Sequence, residues 1–158
     1  MLLPLPFATF DQIAALGHEV EVYCPGCHRQ VKVDPADESL RGKGFAEVRF
    51  RCQALIQPHT AHPARRCNTP GHVYIKPAPG TAIRPGEAIP YAFVSCGRCS
   101  PFWAIEQAPL HDPVWRPVWD RVKDRRARLK CPGCGAALLT SWHGTAGVPF
   151  TDGFRRRA

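Results

Sequence analysis

The stretch Cys24-Pro25-Gly26-Cys27 decides the fold, because the rest of the chain repeats its cysteine spacing. The same four residues return at 131–134, a variant with Gly and Arg between its cysteines lies at 96–99, and one further pair is spread over a longer segment. The eight cysteines of the chain are Cys24, Cys27, Cys52, Cys67, Cys96, Cys99, Cys131 and Cys134. Two metal sites with four thiolate ligands each require this number of cysteines.

Paired cysteines can also form disulfides, which would indicate an exported protein. The first seven residues contain two prolines, no basic region and no small-residue cleavage site, so they do not resemble a signal peptide. No apolar run approaches the roughly 20 residues that span a bilayer. We therefore expect a cytoplasmic protein without a membrane partner, and we favour metal binding by its C-x-x-C pairs over disulfide or redox use.

The chain of 158 residues has the length of two small units. Each unit would need a disulfide or a bound metal to offset the conformational entropy lost on folding. Four prolines and two glycines fall within the fourteen residues from Pro77 to Pro90, which indicates a boundary there. We predict a first unit over 1–78, a linker over 79–90 and a second unit over 91–158.

A short helix is predicted before the first cysteine pair. Thr9 and Gln12 have the spacing of a capping box, and Gly17 offers the left-handed residue that ends a helix. The stretches 19–23 and 29–33 alternate polar and apolar residues and flank the first pair. That pair is therefore expected at the tip of a β-hairpin, in a turn that its proline and glycine permit.

The other cysteine pair of the first unit is split by an insertion. A predicted third strand, Phe45–Arg51, leads into Cys52, and a proline-containing loop separates Cys52 from Cys67. His59 and His62 lie in this loop, and either one can replace one of the two cysteines as a ligand.

The cysteine pairs and their flanking strands resemble the knuckles of zinc-ribbon (rubredoxin-like) proteins. The resemblance is local, and it lies in Cys24–Cys27 between two alternating strands and in Cys131–Gly135 before an apolar strand. It implies a small metal-stabilised α+β fold, made of two zinc-ribbon-like β units with short helices and holding two structural zinc ions. Rubredoxins use such knuckles for iron, but the split pair and the basic charge of this chain fit zinc better.

Catalytic classes are disfavoured by the same residues. A zinc deaminase needs a His-x-Glu motif that this chain lacks. A catalytic zinc needs an open coordination position, and eight thiols in two sets of four leave none. A thioredoxin-type site has its C-x-x-C pair at the start of a helix, whereas these pairs are predicted on hairpins. A metal-dependent nuclease is a weaker alternative, without recognisable spacing, that would use His59, His62, His72 and Asn68. We expect no enzyme activity and no small-molecule substrate.

The formal net charge of +8 indicates an anionic partner. A zinc ion bound by four thiolates carries −2, so two such sites lower the net charge to about +4. Residues 81–158 hold twelve Lys/Arg against six Asp/Glu, whereas residues 1–80 hold nine against seven. The anion-binding surface is therefore expected in the second unit.

That unit contains a basic segment with helical periodicity from Val114 to Arg128, which starts or kinks at Pro117. Three of its arginines, at positions i, i+4 and i+7, would form one stripe beside an apolar face. The C-terminus adds three more arginines. The residues predicted to contact DNA or RNA phosphates are Arg121, Arg125, Arg128, Arg155, Arg156 and Arg157.

Four tryptophans, at positions 103, 115, 119 and 142, are expected to form the core of the second unit. The sequence as a whole predicts an intracellular, non-catalytic, nucleic-acid-associated accessory or regulatory protein. The alternative is a protein-interaction module, such as a small subunit or inhibitor that docks on a larger nucleic-acid machine. Separately, the alternative to phosphate contact for the basic segment is a solvated helix face that keeps the tryptophan-lined core soluble.

Overall fold

The computed structural model describes residues 1–57, 61–76, 78, 91–99, 103–109 and 112–143. In these ranges the chain is a small α+β fold that consists mostly of strands. The elements of the first half are β1 (Leu2–Pro4), α1 (Phe10–Ala15), β2 (Glu19–Tyr23), β3 (Gln30–Val33), a 3-10 turn (Glu38–Leu40), β4 (Leu55–Ile56), β5 (Arg65–Arg66) and β6 (His72–Lys76). Those of the second half are β7 (Tyr91–Ser95), β8 (Trp103–Pro109), α2 (Arg116–Lys123), β9 (Arg128–Lys130) and β10 (Leu139–His143).

One six-stranded sheet runs through both halves of the chain, in the order β10-β7-β8-β6-β2-β3. The junction is the parallel pair of β6 and β8, in which Val73 lies opposite Trp103 and Ile75 opposite Ile105. The units predicted over 1–78 and 91–158 therefore share a sheet. Their boundaries stay a prediction, and the predicted linker lies outside the described residues.

The main core covers one face of this sheet and also draws on both halves. The ring of Phe45 meets that of Trp103 at 4.9 Å, and Phe7 meets Trp115 at 5.9 Å. Trp115 stacks on Trp119 at 4.8 Å, and all three described tryptophan side chains are buried. The side chain of the fourth tryptophan, at position 142, lies outside the described residues.

The predicted capping box is confirmed in α1. The Gln12 amide N–H donates to Thr9 Oγ1 at 3.3 Å, and the Gln12 side-chain oxygen accepts the Thr9 N–H at 3.1 Å. Gly17 follows with a φ of +70°, in the left-handed region that stops the helix. Of the helices in the described ranges, none has the length and apolar character needed to cross a membrane.

Two expectations for the segment around Cys52 are wrong. The stretch 45–51 is not a strand: residues 45–47 form a turn, residues 48–50 are irregular, and Arg51 alone forms a bridge, to Pro70. Phe45 is drawn out of the sheet because its N–H donates to Ala8 O at 2.7 Å and its ring packs in the core. The insertion predicted as a loop contains the antiparallel ribbon of β4 and β5.

The helix predicted over 114–128 is shorter than expected. It begins at Arg116, with Pro117 in its first turn, and ends at Lys123. Arg125 then has a φ of +57°, and Arg128 belongs to β9, which pairs in parallel with β1. A single helical stripe of three arginines is therefore wrong, because the helix ends before Arg125 and the chain continues as a strand that pairs with β1 and buries Leu129.

Candidate metal centres

The first group of thiols consists of Cys24, Cys27, Cys52 and Cys67, whose sulfurs all lie within 4.8 Å of one another. Cys24 Sγ is 3.6 Å from Cys67 Sγ, and Cys27 Sγ is 3.5 Å from Cys52 Sγ. The first pair lies at the tip of the β2–β3 hairpin, as predicted. Cys52 and Cys67 are held together by backbone hydrogen bonds at the base of the β4–β5 ribbon, where the Cys67 N–H donates to Ala54 O at 2.8 Å. This places both of them beside the first pair.

The second group consists of Cys96, Cys99, Cys131 and Cys134, again within 4.8 Å. Cys96 Sγ is 3.6 Å from Cys134 Sγ, and Cys99 Sγ is 3.3 Å from Cys131 Sγ. Strand β7 ends directly before one pair, and β9 ends directly before the other. The antiparallel bridge of Lys130 with Ala137 closes the turn that carries the last pair.

The chemistry of both groups fits a tetrahedral metal ion. A zinc ion with bonds of about 2.3 Å to sulfur separates its thiolates by about 3.8 Å, whereas a disulfide brings two sulfurs to about 2.05 Å. The separations of 3.3 to 3.6 Å lie near the first value, and none of the eight thiols is in a disulfide. Of the two histidines considered as ligands, His62 is exposed and belongs to neither group, and His59 lies outside the described residues.

The two Cys-Pro-Gly-Cys turns have the same backbone geometry. In each, the first cysteine exchanges hydrogen bonds of 2.8 to 2.9 Å with the residues four and five positions later. The residue that directly follows the second cysteine is left-handed in both turns, with a φ of 58° at His28 and 69° at Gly135. His28 is held there by its ring, since Nδ1 lies 2.6 Å from the hydroxyl of Tyr23.

The glycines inside these turns are required by close packing. A Cβ at Gly26 would collide with Thr69, and a Cβ at Gly133 would lie 2.7 Å from Ala46 Cβ. Each would also lie 3.1 Å from a cysteine sulfur of the opposite pair. Neither glycine has a positive φ, so the turn needs them for close approach rather than for a left-handed conformation. Ala46 belongs to the first half, so the second centre packs directly against it.

One thiol in each group has a depressed pKa. The hydroxyl of Thr69, 3.1 Å from Cys67 Sγ, and the Thr69 amide hold the pKa of Cys67 at about 7. The amide of Ala136 lowers the pKa of Cys134 to about 7. Hydrogen bonds to sulfur stabilise the thiolate, which is the form that binds metal. Thr69 was missed in the sequence because only the folded turn shows that it faces sulfur.

Other thiols in the groups resist ionisation. The Ala54 amide acts to lower the pKa of Cys52, but burial and three neighbouring thiols raise it to about 12. Burial, and next the adjacent thiols, raise the pKa of Cys99 far above its ordinary value. Four thiolates so close together repel one another, so a fully ionised set needs a cation at its centre.

The basic segment of the second half is exposed but lies on several elements. Arg116 pairs with Asp120 at 4.0 Å, and Arg126 pairs with Asp124 at 3.8 Å. The five remaining cations of the segment have no carboxylate within 4.0 Å among the described residues, and these are Arg121, Lys123, Arg125, Arg128 and Lys130. The predicted Arg155, Arg156 and Arg157 lie outside the described residues.

A second basic region, missed in the sequence analysis, surrounds the first centre. Arg51, Arg65 and Arg66 are all exposed on or beside the β4–β5 ribbon. The available signal was the absence of any Asp or Glu between Glu47 and Glu87.

Comparisons of the chain with protein families, with curated proteins and with solved structures find no match. The two groups of four cysteines are consistent with zinc-ribbon-like knuckles, and the geometry of their sulfurs is what supports metal binding.

Proposed function

We propose that this protein is a non-catalytic, zinc-binding accessory protein that associates with nucleic acid. The observation that carries the proposal is the combination of two closed groups of four thiols with exposed, unneutralised cations beside the second group. The eight cysteines are its metal ligands, and the basic surface contacts phosphates.

Both metal ions are structural in this proposal. Each group supplies four thiolates, which fill a tetrahedral zinc and leave no position for a substrate or an activated water. When bound, zinc would supply the charge that keeps all four sulfurs ionised. Thr69 would stabilise the thiolate of Cys67, and the Gly133 N–H, 3.4 Å from Cys131 Sγ, would stabilise the thiolate of that residue.

The nucleic-acid part is supported by the charge distribution. Seven Lys/Arg and two Asp lie between Arg116 and Lys130, and the two Asp side chains are already paired with arginines. The cations left over are exposed, so phosphates can reach them without desolvating a buried group.

Metal content tests the first part. Elemental analysis of the purified chain is expected to find about two zinc per chain, since each centre takes one ion. One ion or none would contradict the proposal, and iron in place of zinc would make the sites rubredoxin-like instead.

Salt-dependent binding tests the second part. Affinity for short DNA and RNA is expected to fall steeply with salt, and R121Q/R125Q is expected to reduce the slope of log K against log salt by about 1.8. The double variant R41Q/K43Q removes the same charge from exposed residues of the first half and is expected to leave the slope unchanged. No binding at low salt would refute the association with nucleic acid.

Docking on a larger protein complex is the second candidate function. Among the described residues, β3 and β10 form the two edges of the six-stranded sheet and expose apolar side chains, with Val31 58% and Leu139 66% accessible. A partner strand could pair with such an edge. Binding to a protein complex that persists in V31K or L139K would argue against these edges.

A further inference from the structure

The β4–β5 ribbon is an exposed two-stranded projection between two cysteines of the first centre. Leu55 lies opposite Arg66 and Ile56 opposite Arg65 in its antiparallel register. Residues 61–66 are all exposed, and Leu55 is 66% accessible, so the ribbon is not packed on the core. Its base is fixed by Cys52 N–H donating to Thr69 O at 3.0 Å and Asn68 N–H donating to Cys52 O at 2.9 Å.

Neutral oxygens orient one arginine of this ribbon and one beside it. Arg66 Nη1 donates to Gln53 Oε1 at 2.6 Å, and Arg51 Nη1 donates to the carbonyl of Asn68 at 3.2 Å. Gln53 Nε2 also donates to Arg51 O at 3.5 Å, so one amide side chain links the two arginines. A carboxylate would neutralise the charge of a guanidinium that it binds. A neutral amide or carbonyl oxygen orders the guanidinium and leaves its positive charge in place.

The ribbon also lacks competing anions. Arg51, Arg65 and Arg66 take part in none of the ion pairs found among the described residues. The sequence contains no Asp or Glu from position 48 to position 86. Helix α2 differs, because two of the arginines in and after it are paired with aspartates. The charge of the ribbon is therefore available to a partner.

We propose that the β4–β5 ribbon is a second nucleic-acid contact, which lies in the major groove of duplex DNA with Arg51, Arg65 and Arg66 bound to backbone phosphates. This inference rests on the proposed function, since it adds a surface to the same association. A two-stranded β-ribbon fits the major groove of B-DNA, which is about 12 Å wide, whereas the major groove of A-form RNA is too narrow to admit it. The planar guanidinium matches phosphate with two parallel hydrogen bonds.

The test compares R65Q/R66Q with the wild-type chain and with R41Q/K43Q, a control that removes two charges from the same half. Binding to a duplex DNA of about 20 base pairs is measured as a function of salt, with zinc content and thermal midpoint recorded for each variant. Loss of two phosphate contacts lowers the slope by about 1.8, which corresponds to a loss of affinity on the order of 60-fold at about 0.1 M salt. The control is expected to bind like the wild type.

A lysine pair separates charge from geometry. R65K/R66K keeps both charges, so its slope is expected to stay near that of the wild type, with a weaker affinity because the paired hydrogen bonds are lost. Equal zinc content in all variants would show that an affinity loss is not a folding defect.

Three outcomes would overturn the inference. If R65Q/R66Q binds duplex DNA like the wild type, the ribbon does not contact DNA, and the proposed function is unaffected. Tighter binding to duplex RNA or single strands would refute the groove assignment. Binding of an acidic polypeptide with the same dependence on Arg65 and Arg66 would replace nucleic acid by a protein partner. A wild-type chain that binds no nucleic acid at all would instead sink the proposed function.

Discussion

At the scale of single residues, the glycines of the two Cys-Pro-Gly-Cys turns show how closely the cysteine pairs approach one another. Gly97 lies between Cys96 and Cys99, at the position that Pro132 holds in the last pair, and a Cβ there would meet no atom of the described residues within 4 Å. A Cβ at Gly133 would meet both Ala46 and the sulfur of Cys99. The glycine at the third position of Cys131–Cys134 is therefore required by packing, whereas the glycine at the second position of Cys96–Cys99 is not.

Gly133→Ala is expected to lower the free energy of unfolding by about 1 to 3 kcal/mol, because the added methyl overpacks the contact with Ala46. Gly97→Ala is a control in another cysteine pair and is expected to change stability little, since its φ is not positive and no described residue lies within reach of the added methyl. Denaturant unfolding of both zinc-loaded variants measures the difference. Equal stabilities would show that the turn relaxes around the methyl.

His18 carries a pH dependence that follows from its burial. It is 6% exposed, and its Nδ1 accepts the Ala78 N–H at 3.2 Å. Burial lowers the pKa of His18 below its ordinary value of 6.5, and the charge of Asp112 opposes this shift only in part. Below that ordinary value the unfolded chain binds a proton that the folded chain resists, so stability falls as the pH drops through 6.5 towards the lowered pKa.

His18→Gln keeps an acceptor for the Ala78 N–H but does not titrate, so its stability is expected to fall less than that of the wild type between about pH 7.5 and 5.5. The difference is at most about 1.4 kcal/mol per pH unit. His62→Gln is the control, because His62 is exposed. Thermal unfolding at matched zinc occupancy measures the effect, and parallel pH curves for all three chains would contradict it.

At the scale of elements, patterns with local causes were predicted and those with distant causes were not. The capping box of α1 and the β2–β3 hairpin depend on residues within a few positions of one another, and both are present. The alternation of 45–51 resembles a strand, but the contacts of Phe45 with Ala8 and the core accompany a turn at 45–47 and irregular backbone at 48–50. Helix α2 ends early because β9 pairs with β1, over a hundred residues away in sequence.

In the candidate metal centres, too, features that depend on nearby residues could be predicted and features that depend on the folded chain could not. The spacing of the cysteines was enough to predict two groups of four, because the pairs carry their own turns. The ribbon between Cys52 and Cys67 was predicted as a loop, since strands of two residues leave no recognisable periodicity. Thr69 beside the sulfur of Cys67 became visible only when the turn was folded.

The cap of α1 allows a prediction at this scale. Thr9→Ala removes the acceptor for the Gln12 N–H and is expected to cost about 1 kcal/mol in the free energy of unfolding. Thr9→Ser retains a hydroxyl and is expected to recover most of that loss. Because α1 has six residues and places Phe10 and Ile13 in the core, the loss should appear in global unfolding rather than as local fraying. Denaturant unfolding measures the loss, and identical curves for Thr9→Ala and Thr9→Ser would show that the hydroxyl at position 9 does not stabilise the helix.

At the scale of the whole molecule, the two candidate metal centres belong to one shared structure. Strand β6 leads away from the first centre and β8 follows the second, and these two strands are neighbours in the sheet. The same core cluster contains Phe10 and Val20 of the first half and Trp119 and Leu129 of the second. Loss of either centre should therefore weaken the packing of both halves.

Unfolding is accordingly expected to be a single transition that both halves report. All four tryptophans lie in the second half, so their fluorescence reports that half together with its packing on Phe7 and Phe45. Amide exchange of Val20 and Val22 in β2 reports the first half. In the zinc-loaded wild type the two signals should give the same free energy of unfolding.

Cys134→Ser, in the second centre, should reduce the hydrogen-exchange protection of the β2 amides and also lower the denaturation midpoint that tryptophan fluorescence reports. Cys27→Ser, in the first centre, should lower the tryptophan midpoint in turn. Full protection of β2 in Cys134→Ser would instead mean that the halves at 1–78 and 91–158 unfold as independent domains despite the sheet they share.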